Sequence, residues 1–368
     1  MGKPSTEQQP PLSEDLYLSY LNNDDLLPPL TGKTVAITGT TSGLGFALAR
    51  TAIVKRASLV LLLNRTSDRS ATSEEKLRES YLHDEEEDAE TTTTTTRTVL
   101  RSIDCDLQSF DSVKSAAEAV TEAVRPYHGL DVLCLNAGIM ACDDIRTKDG
   151  FDVQMQTNML SHFLLASLLY PSVREAAEQR GEARIVSHSS SAREMVKKLE
   201  EKYFTQCHGG SLGGNNASFL SQFLLGKEGP WVRYSQSKLA NAAFAMALHH
   251  KLQAIESKIK SVACEPGYSV TSLQDTKHFV SVMNLFPKQS ASDGSLNAAM
   301  SCFGPDTDSG DLFAPANVAT GKPIKVVSKG IRQKTGWIGG TDKGTCDAEN
   351  QKLVWDACEK ALGIKFDV

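Results

Sequence analysis

The sequence predicts an α/β fold built on a parallel sheet, and three observations predict it. Short β-branched or leucine-rich runs alternate with helical segments between residues 33 and 264, the rhythm of βαβ units with right-handed crossovers. The first of these runs ends in a glycine-rich turn that opens a helix. The second, Ser58-Leu59-Val60-Leu61-Leu62-Leu63, is apolar without interruption, as a strand buried on both faces should be.

Residues 1–32 are polar and punctuated by prolines, and they read as an extension with a helical patch around Leu16–Leu21. The fold begins at Lys33-Thr34-Val35-Ala36-Ile37-Thr38, which feeds Gly39-Thr40-Thr41-Ser42-Gly43-Leu44-Gly45 and then a helical run, Phe46–Lys55. Glycines there let the backbone approach a pyrophosphate, and the helix N-terminus favours its charge, so the turn is a candidate dinucleotide site. The second strand ends in Asn64-Arg65. An acidic residue at that point would suit a ribose 2′-hydroxyl, whereas an arginine suits a 2′-phosphate, so NADP(H) is expected over NAD(H).

Residues 66–97 hold Asp84-Glu85-Glu86-Glu87-Asp88 and six threonines, Thr91–Thr96. This biased stretch predicts a surface insertion with no core of its own. Thr98–Ile103 resumes the strands, followed by Asp106-Leu107 and a helix over Ser109–Val124 with apolar spacing at Val113, Ala116, Ala117 and Val120. Asp131–Leu135 is a buried strand ending in Asn136-Ala137-Gly138. A helix from Asn158 to Leu169, a strand at Arg184–His188 and three serines, Ser189–Ser191, come next. Lys260–Cys264 makes a sixth strand and leads into Glu265-Pro266-Gly267-Tyr268.

Tyr234-Ser-Gln-Ser-Lys238 opens a run rich in Ala, Leu and Met, so it belongs on a helix. Residues four apart share a helix face. A tyrosine titrates near ~10, and a neighbouring ammonium should lower that value and make Tyr234 a usable acid/base.

Composition narrows the classes. The chain has 368 residues, 40% hydrophobic and 23% charged, with a formal net charge of −6, and no basic cluster suggests a nucleic-acid partner. No apolar run nears the ~20 residues that span a bilayer. The eight cysteines form no C-x-x-C pair and several sit in apolar runs, which predicts buried thiols in the cytoplasm or another reducing compartment and no zinc site. No metal is expected, and His249-His250 reads as a solvated helix end. Met1-Gly2-Lys3-Pro4-Ser5-Thr6 lacks a secretory signal's apolar core but fits the loose myristoylation pattern.

Taken together, residues 31 to 368 resemble the short-chain dehydrogenase/reductase family. The motifs that carry the resemblance occur in order: Thr38-Gly39-x3-Gly43-x-Gly45, Asp106-Leu107, Asn136-Ala137-Gly138, Asn158, Ser190, Tyr234-x3-Lys238, and Pro266-Gly267 with Thr271. The resemblance implies one Rossmann-type doubly wound domain over 33–368, with a seven-stranded parallel sheet in the order 3-2-1-4-5-6-7. It implies a catalytic tetrad of Asn158, Ser190, Tyr234 and Lys238. Ser190 is chosen because Ile185-Val186-Ser187-His188-Ser189-Ser190 overlays the family's I-V-N-x-S-S, with Ser189 as the fallback. The cofactor site would comprise Thr38, Gly39, Thr41, Ser42, Gly43, Leu44, Gly45, Asn64, Arg65, Asp106 at the adenine with Leu107, Asn136 lining the cleft with Ala137 and Gly138, Tyr234, Lys238, Pro266, Gly267, and Thr271 at the carboxamide.

Tyr234-Ser-Gln-Ser-Lys238-Leu-Ala-Asn241 and the tail Leu353-Val354-Trp355-Asp356-x-Cys358-Glu359 look most like the retinol-dehydrogenase-like branch. That implies an NADPH-dependent carbonyl reductase, or the reverse alcohol dehydrogenase, acting on a lipophilic substrate. Two alternatives are a pigment reductase like the protochlorophyllide reductases, whose cysteine after the lysine is Ala240 here, and a non-catalytic NADPH-binding regulatory protein. A hydrolase using His188 and Ser189 lacks the G-x-S-x-G elbow. The long segment 191–233, with Met195, Leu199, Tyr203, Phe204, Phe219, Leu220, Phe223, Leu224 and Trp231 and glycine pairs at 209–210 and 213–214, reads first as a lid over a large apolar substrate, the alternative being that these residues only cap the fold's own core.

Overall fold

A computed structural model describes residues 12–82, 97–218, 220–222, 227–271, 287–333 and 343–368. The myristoylation pattern at Met1–Thr6, the acidic and threonine run 84–96, and Phe219, Phe223 and Leu224 lie outside the described residues.

Seven parallel strands run in the expected order, and the sheet then continues. The strands are β1 (Thr34–Thr38), β2 (Leu59–Asn64), β3 (Val99–Asp104), β4 (Val132–Leu135), β5 (Ala183–His188), β6 (Ile259–Cys264) and β7 (Leu312–Pro315), arranged β3-β2-β1-β4-β5-β6-β7. β8 (Pro323–Ser328) and β9 (Ile331–Arg332) then extend the sheet antiparallel, making nine strands among the described residues where seven were expected. Lys329 and Gly330, both at positive φ (51° and 74°), form the turn between them, the conformation that keeps a two-residue hairpin in step with strand twist. The fold class stands, and the strand count is corrected.

Strand periodicity explains the two cores. Leu59, Leu61 and Leu63 face one layer of helices, and Val60 and Leu62 face the other, because successive side chains leave a strand on opposite faces. One layer holds α2 (Gly43–Val54) and α7 (Ala291–Phe303). The other holds α4 (Phe110–Val124), α5 (Ser161–Arg180) and α6 (Pro230–Ala254), covered by the last helix, α8 (Ala348–Leu362). The first helix, α1 (Asp15–Leu21), packs Tyr17 and Leu21 on Leu296 of α7, and the Tyr17 hydroxyl meets Thr51 Oγ1 at 2.9 Å.

The expected insertion at 66–97 is corrected over its first half. Asp68–Tyr81 is the crossover helix α3, started by a capping box between Ser67 and Ser70. It escaped the apolar pattern because it is shallow: Leu77 and Ser73 are its buried residues, and Ser73 Oγ donates to Thr40 O at 2.9 Å. His249 is also corrected, since it is buried and its Nδ1 sits 3.0 Å from Ser309 Oγ.

An aromatic cluster fixes the helices that bear the site. Trp355 of α8 stacks on Phe244 of α6 and on Phe366, and meets Phe163 of α5 edge-on at 5.3 Å. Trp355→Ala should therefore destabilise the fold by about 3–5 kcal/mol, read as the shift in urea midpoint. A change under about 1 kcal/mol, small against the range for core truncations, would contradict that packing role.

Candidate active site

The glycine turn is built by close backbone approach. A Cβ on Gly45 would overlap the Gly39 carbonyl oxygen and crowd Asn136 Nδ2 at 2.5 Å, so only glycine fits. Asn136 does not line the cleft with a free amide. Its Nδ2 donates to Thr38 O (2.9 Å) and Gly39 O (3.1 Å), clamping the turn. Asn64 is similarly committed: it accepts from Thr40 N–H at 2.7 Å and donates to Thr40 Oγ1 at 2.7 Å. Both side chains brace the loop.

Arg65 follows Asn64 and is exposed, and Arg69 on α3 donates to the Ser42 hydroxyl at the start of α2. Two guanidinium-bearing residues thus flank the place where β2 ends; the sequence reading had found only Arg65. Thr271 lies over the same turn, its Cγ2 3.2 Å from where a Gly43 Cβ would stand. Asp106 accepts from Gln108 N–H at 2.9 Å, and the carbonyl of buried Leu107 accepts from Ser161 Oγ at 2.6 Å.

At the other end of the cleft, the first turns of α6 carry Tyr234 and Lys238, both buried. Ser190, not Ser189, meets the Tyr234 hydroxyl. Ser189 Oγ is spent on Lys238 O at 2.7 Å. Asn158 sits in a π-helical turn, Gln156–Leu160, that runs into α5. Its side chain accepts from Ile139 N–H (2.8 Å) and donates to Ile139 O and Ser237 Oγ (both 2.9 Å). A Cβ at Gly138 would stand 3.2 Å from Lys238 Nζ and 3.3 Å from Asn158 Oδ1. The missing side chain there keeps a space open in front of both polar groups.

The electrostatics differ from expectation. Burial pushes Tyr234 up to about 12, opposed by its hydrogen bond from Ser190, and the Glu265 carboxylate raises it further. The expected lowering by Lys238 is absent, for a geometric reason. Lys238 Nζ donates to His188 O at 2.9 Å and stays 5.9 Å from the centroid of the tyrosine ring, while its own burial pushes it down to about 8. Desolvation of both groups outweighs their mutual effect.

Several site residues had no sequence signal. Buried His162 lies 3.0 Å from both Asn158 O and Thr38 Oγ1. A carbonyl only accepts, so Nδ1 carries the proton and Nε2 accepts from the Thr38 hydroxyl. Burial holds the ring neutral by pushing it down to about 4. Arg193 pairs with buried Glu265 and donates to Ser190 O at 3.0 Å. His162 with Thr38 and Arg193 with Glu265 join segments far apart in the chain, with no fixed spacing to read.

Of the expected lid, Leu199, Tyr203 and Phe204 are buried in the main core with Phe151 and Met155, so they cap the fold instead. Trp231 packs edge-on against Tyr234 with centroids 6.0 Å apart, and Met140, Ala141, Ala192 and Met195 complete an apolar cluster there. Leu220 is exposed.

A family model described as short chain dehydrogenase matches residues 33–205. A short-chain dehydrogenase/reductase of Armillaria gallica is 30% identical over 249 residues, covering 67% of this chain and 69% of that protein. The chain belongs to the short-chain dehydrogenase/reductase family. An uncharacterized oxidoreductase of Schizosaccharomyces pombe is 32% identical over 251 residues, 67% of this chain. Human polyprenol dehydrogenase is 24% identical over 245 residues, 66% of this chain. The matched stretch spans 63% of the length of each of these last two relatives.

Among solved structures, an uncharacterized protein of Mycobacterium paratuberculosis shares the short-chain dehydrogenase/reductase fold seen here, with a TM-score of 0.64 and 24% identity over 93% of this chain and 97% of that one. The NADPH-bound carbonyl reductase from chicken fatty liver has a TM-score of 0.50 and 20% identity over 76% and 95%. Among the described residues, no helix is long and apolar enough to cross a membrane, and no cluster of His, Cys, Asp and Glu could hold a metal. Cys105, Cys134, Cys264, Cys302 and Cys358 are buried free thiols.

Proposed function

We propose that this family member is an NADPH-dependent oxidoreductase that interconverts a carbonyl and an alcohol on a lipophilic substrate. The observation that carries the reading is buried Tyr234, with the Ser190 hydroxyl on its phenol side, set in an apolar cluster of Met140, Ala141, Ala192, Met195 and Trp231. A polar pair set in an apolar wall suits a carbonyl on a hydrocarbon body. When bound, the nicotinamide supplies or takes up the hydride.

Ser190 and Tyr234 donate hydrogen bonds to the substrate oxygen as negative charge develops on it. Tyr234 then gives its proton to that oxygen, completing the alcohol. A phenol pushed up to about 12 is protonated throughout the neutral range, so the site as it stands is set for donation, the reducing direction. Lys238, anchored by His188 O, presents its ammonium beside the open space at Gly138, where it would hold the cofactor ribose. Asn158 is held by Ile139 and Ser237 on the other side of that space. The test is a screen of retinoids, long-chain aldehydes and quinones with NADPH, followed at the reduced-cofactor absorbance. No turnover with any of them would count against the reading.

NADP(H) is proposed over NAD(H) because Arg65 and Arg69 flank the end of β2, where a 2′-phosphate would find charge-assisted donors. Arg65→Ala should raise KM for NADPH about tenfold, the worth of one such contact, with KM for NADH nearly constant. Combining it with Arg69→Ala should extend the effect. An unchanged NADPH/NADH ratio in the double variant would remove the preference.

A further inference from the structure

The glycine-rich segment before α6 wraps a carboxylate of its own chain. Asp144 Oδ2 accepts from Leu212 N–H (3.0 Å) and Gly214 N–H (3.1 Å). Its carbonyl accepts from Gly210 N–H at 3.2 Å, and its N–H donates to Asn215 Oδ1 at 2.8 Å. Amide groups converging on one carboxylate form an anion nest. The nest needs positive φ at Gly213 (92°) and Gly214 (58°), and a Cβ on Gly213 would overlap Glu228. The glycines are there to make this turn, not to act as a hinge.

Arg233, fully buried, closes the nest. Its Nη1 donates to Leu212 O (3.1 Å) and Gly214 O (2.8 Å), and its Nη2 to Cys142 O (3.0 Å) and Asn215 Oδ1 (3.3 Å). Its guanidinium also lies 3.6 Å from Asp144 Oδ2 and 3.4 Å from Asp152 Oδ2. A planar fork can hold this many acceptors at once, and a single ammonium cannot.

Arg233 ties the glycine-rich segment to two stretches that lead to the surroundings of Tyr234. Arg233 immediately precedes it. Cys142 follows Met140 and Ala141, which belong to the apolar cluster around the tyrosine. Asp152 caps the short turn that leads to Asn158, accepting from Gln154 N–H (3.1 Å) and Met155 N–H (2.9 Å).

We infer that Arg233 is a positioning residue for the reaction proposed above: by tying residues 140–144 to segment 210–215 it fixes the wall of the carbonyl-substrate site that Met140 and Ala141 form beside Tyr234. Segment 210–215 is thus the brace behind that wall, not a moving cover. The inference rests on the reading of Tyr234 as the proton donor.

Two variants test it with NADPH and either decanal or all-trans-retinal. Arg233→Lys keeps the charge facing Asp144 and Asp152 but loses the fork. Its kcat should fall about tenfold or more, as expected for a reacting pair displaced by a fraction of an ångström, with KM for NADPH within about twofold. Asn215→Ala removes only the acceptor that Asp144 N–H and Arg233 Nη2 share. It should raise KM for the carbonyl several-fold with kcat nearly kept, and speed protease cleavage within 205–218. If both variants keep the parent kcat and carbonyl KM, whatever happens to Tm, Arg233 serves the fold alone and the inference is overturned. Should Arg233→Lys fail to fold, an unchanged carbonyl KM in Asn215→Ala overturns it by itself. Tyr234→Phe is the control. Activity in that variant refutes the site reading, whereas an inactive Tyr234→Phe beside normal Arg233 and Asn215 variants refutes only the role of Arg233.

Discussion

Tyr234→Phe is expected to lower kcat at least ~10³-fold, the combined worth of a positioned proton donor and a hydrogen bond to the developing oxyanion. NADPH affinity should stay within about twofold. The ring itself stays in place, because Phe keeps the edge-on packing against Trp231 at 6.0 Å. What disappears is the hydroxyl, and with it the partner of Ser190. Because burial holds that phenol near 12, the parent enzyme should reduce carbonyls at a rate that does not rise between pH 6 and 8. Alcohol oxidation should quicken toward alkaline pH, since it needs the phenolate. The measurements are kcat for both directions across that range and a fluorescence titration with NADPH. Turnover within tenfold of the parent in Tyr234→Phe would refute the proposed acid/base role.

Lys238→Met is expected to move activity and stability in opposite directions. Turnover should fall about 10²-fold or more, because the variant loses the ammonium beside Gly138 and Asn158. Stability at pH 7 should hold or rise. The Lys238 ammonium is buried and donates to His188 O, and burial pushes its value from 10.5 down to about 8. Between about 8 and 10.5 the folded chain therefore binds fewer protons at this site than the unfolded chain. Its contribution is unfavourable at neutral pH and is relieved as pH rises through that window. Methionine removes the charge, at the smaller cost of leaving the His188 carbonyl without this donor. Thermal unfolding at pH 7 and pH 10 should show a smaller gain with pH in Lys238→Met than in the parent. A variant several degrees less stable, with the parent's pH slope, would show that burial of Lys238 stabilises the fold.

Buried charge at a working site is the common pattern here. Arg193 with Glu265, Arg233 with Asp144 and Asp152, and Lys238 all lie inside, where water would otherwise screen them. Such groups cost stability and fix geometry, which is the trade a positioned reaction demands.

The uninterrupted apolar runs determined the central parallel strands, because burial on both faces leaves no room for alternation. The glycine turn at 39–45 and the four-residue spacing of Tyr234 and Lys238 were legible for the same kind of reason: each is a local backbone requirement written in adjacent residues. Helix α3 and strands β8 and β9 were not legible. They are shallow or marginal, with few buried side chains, and periodicity is weak where burial is slight. The site shows the same division. Ser190, the serine the family overlay had chosen, lies toward Tyr234 while Ser189 turns to Lys238 O; tertiary structure alone decided that Asn136 and Asn64 brace the turn. It alone decided that Lys238 leans on His188 O rather than on the phenol, and that the glycine pairs fold around Asp144 under Arg233. The sequence by itself marked the glycine turn, Tyr234 and Lys238, though not Arg69, His162 or Arg193 beside them. Their partners, protonation and freedom to move depend on desolvation and on contacts between residues far apart in the chain, and those exist only once the chain has closed on itself.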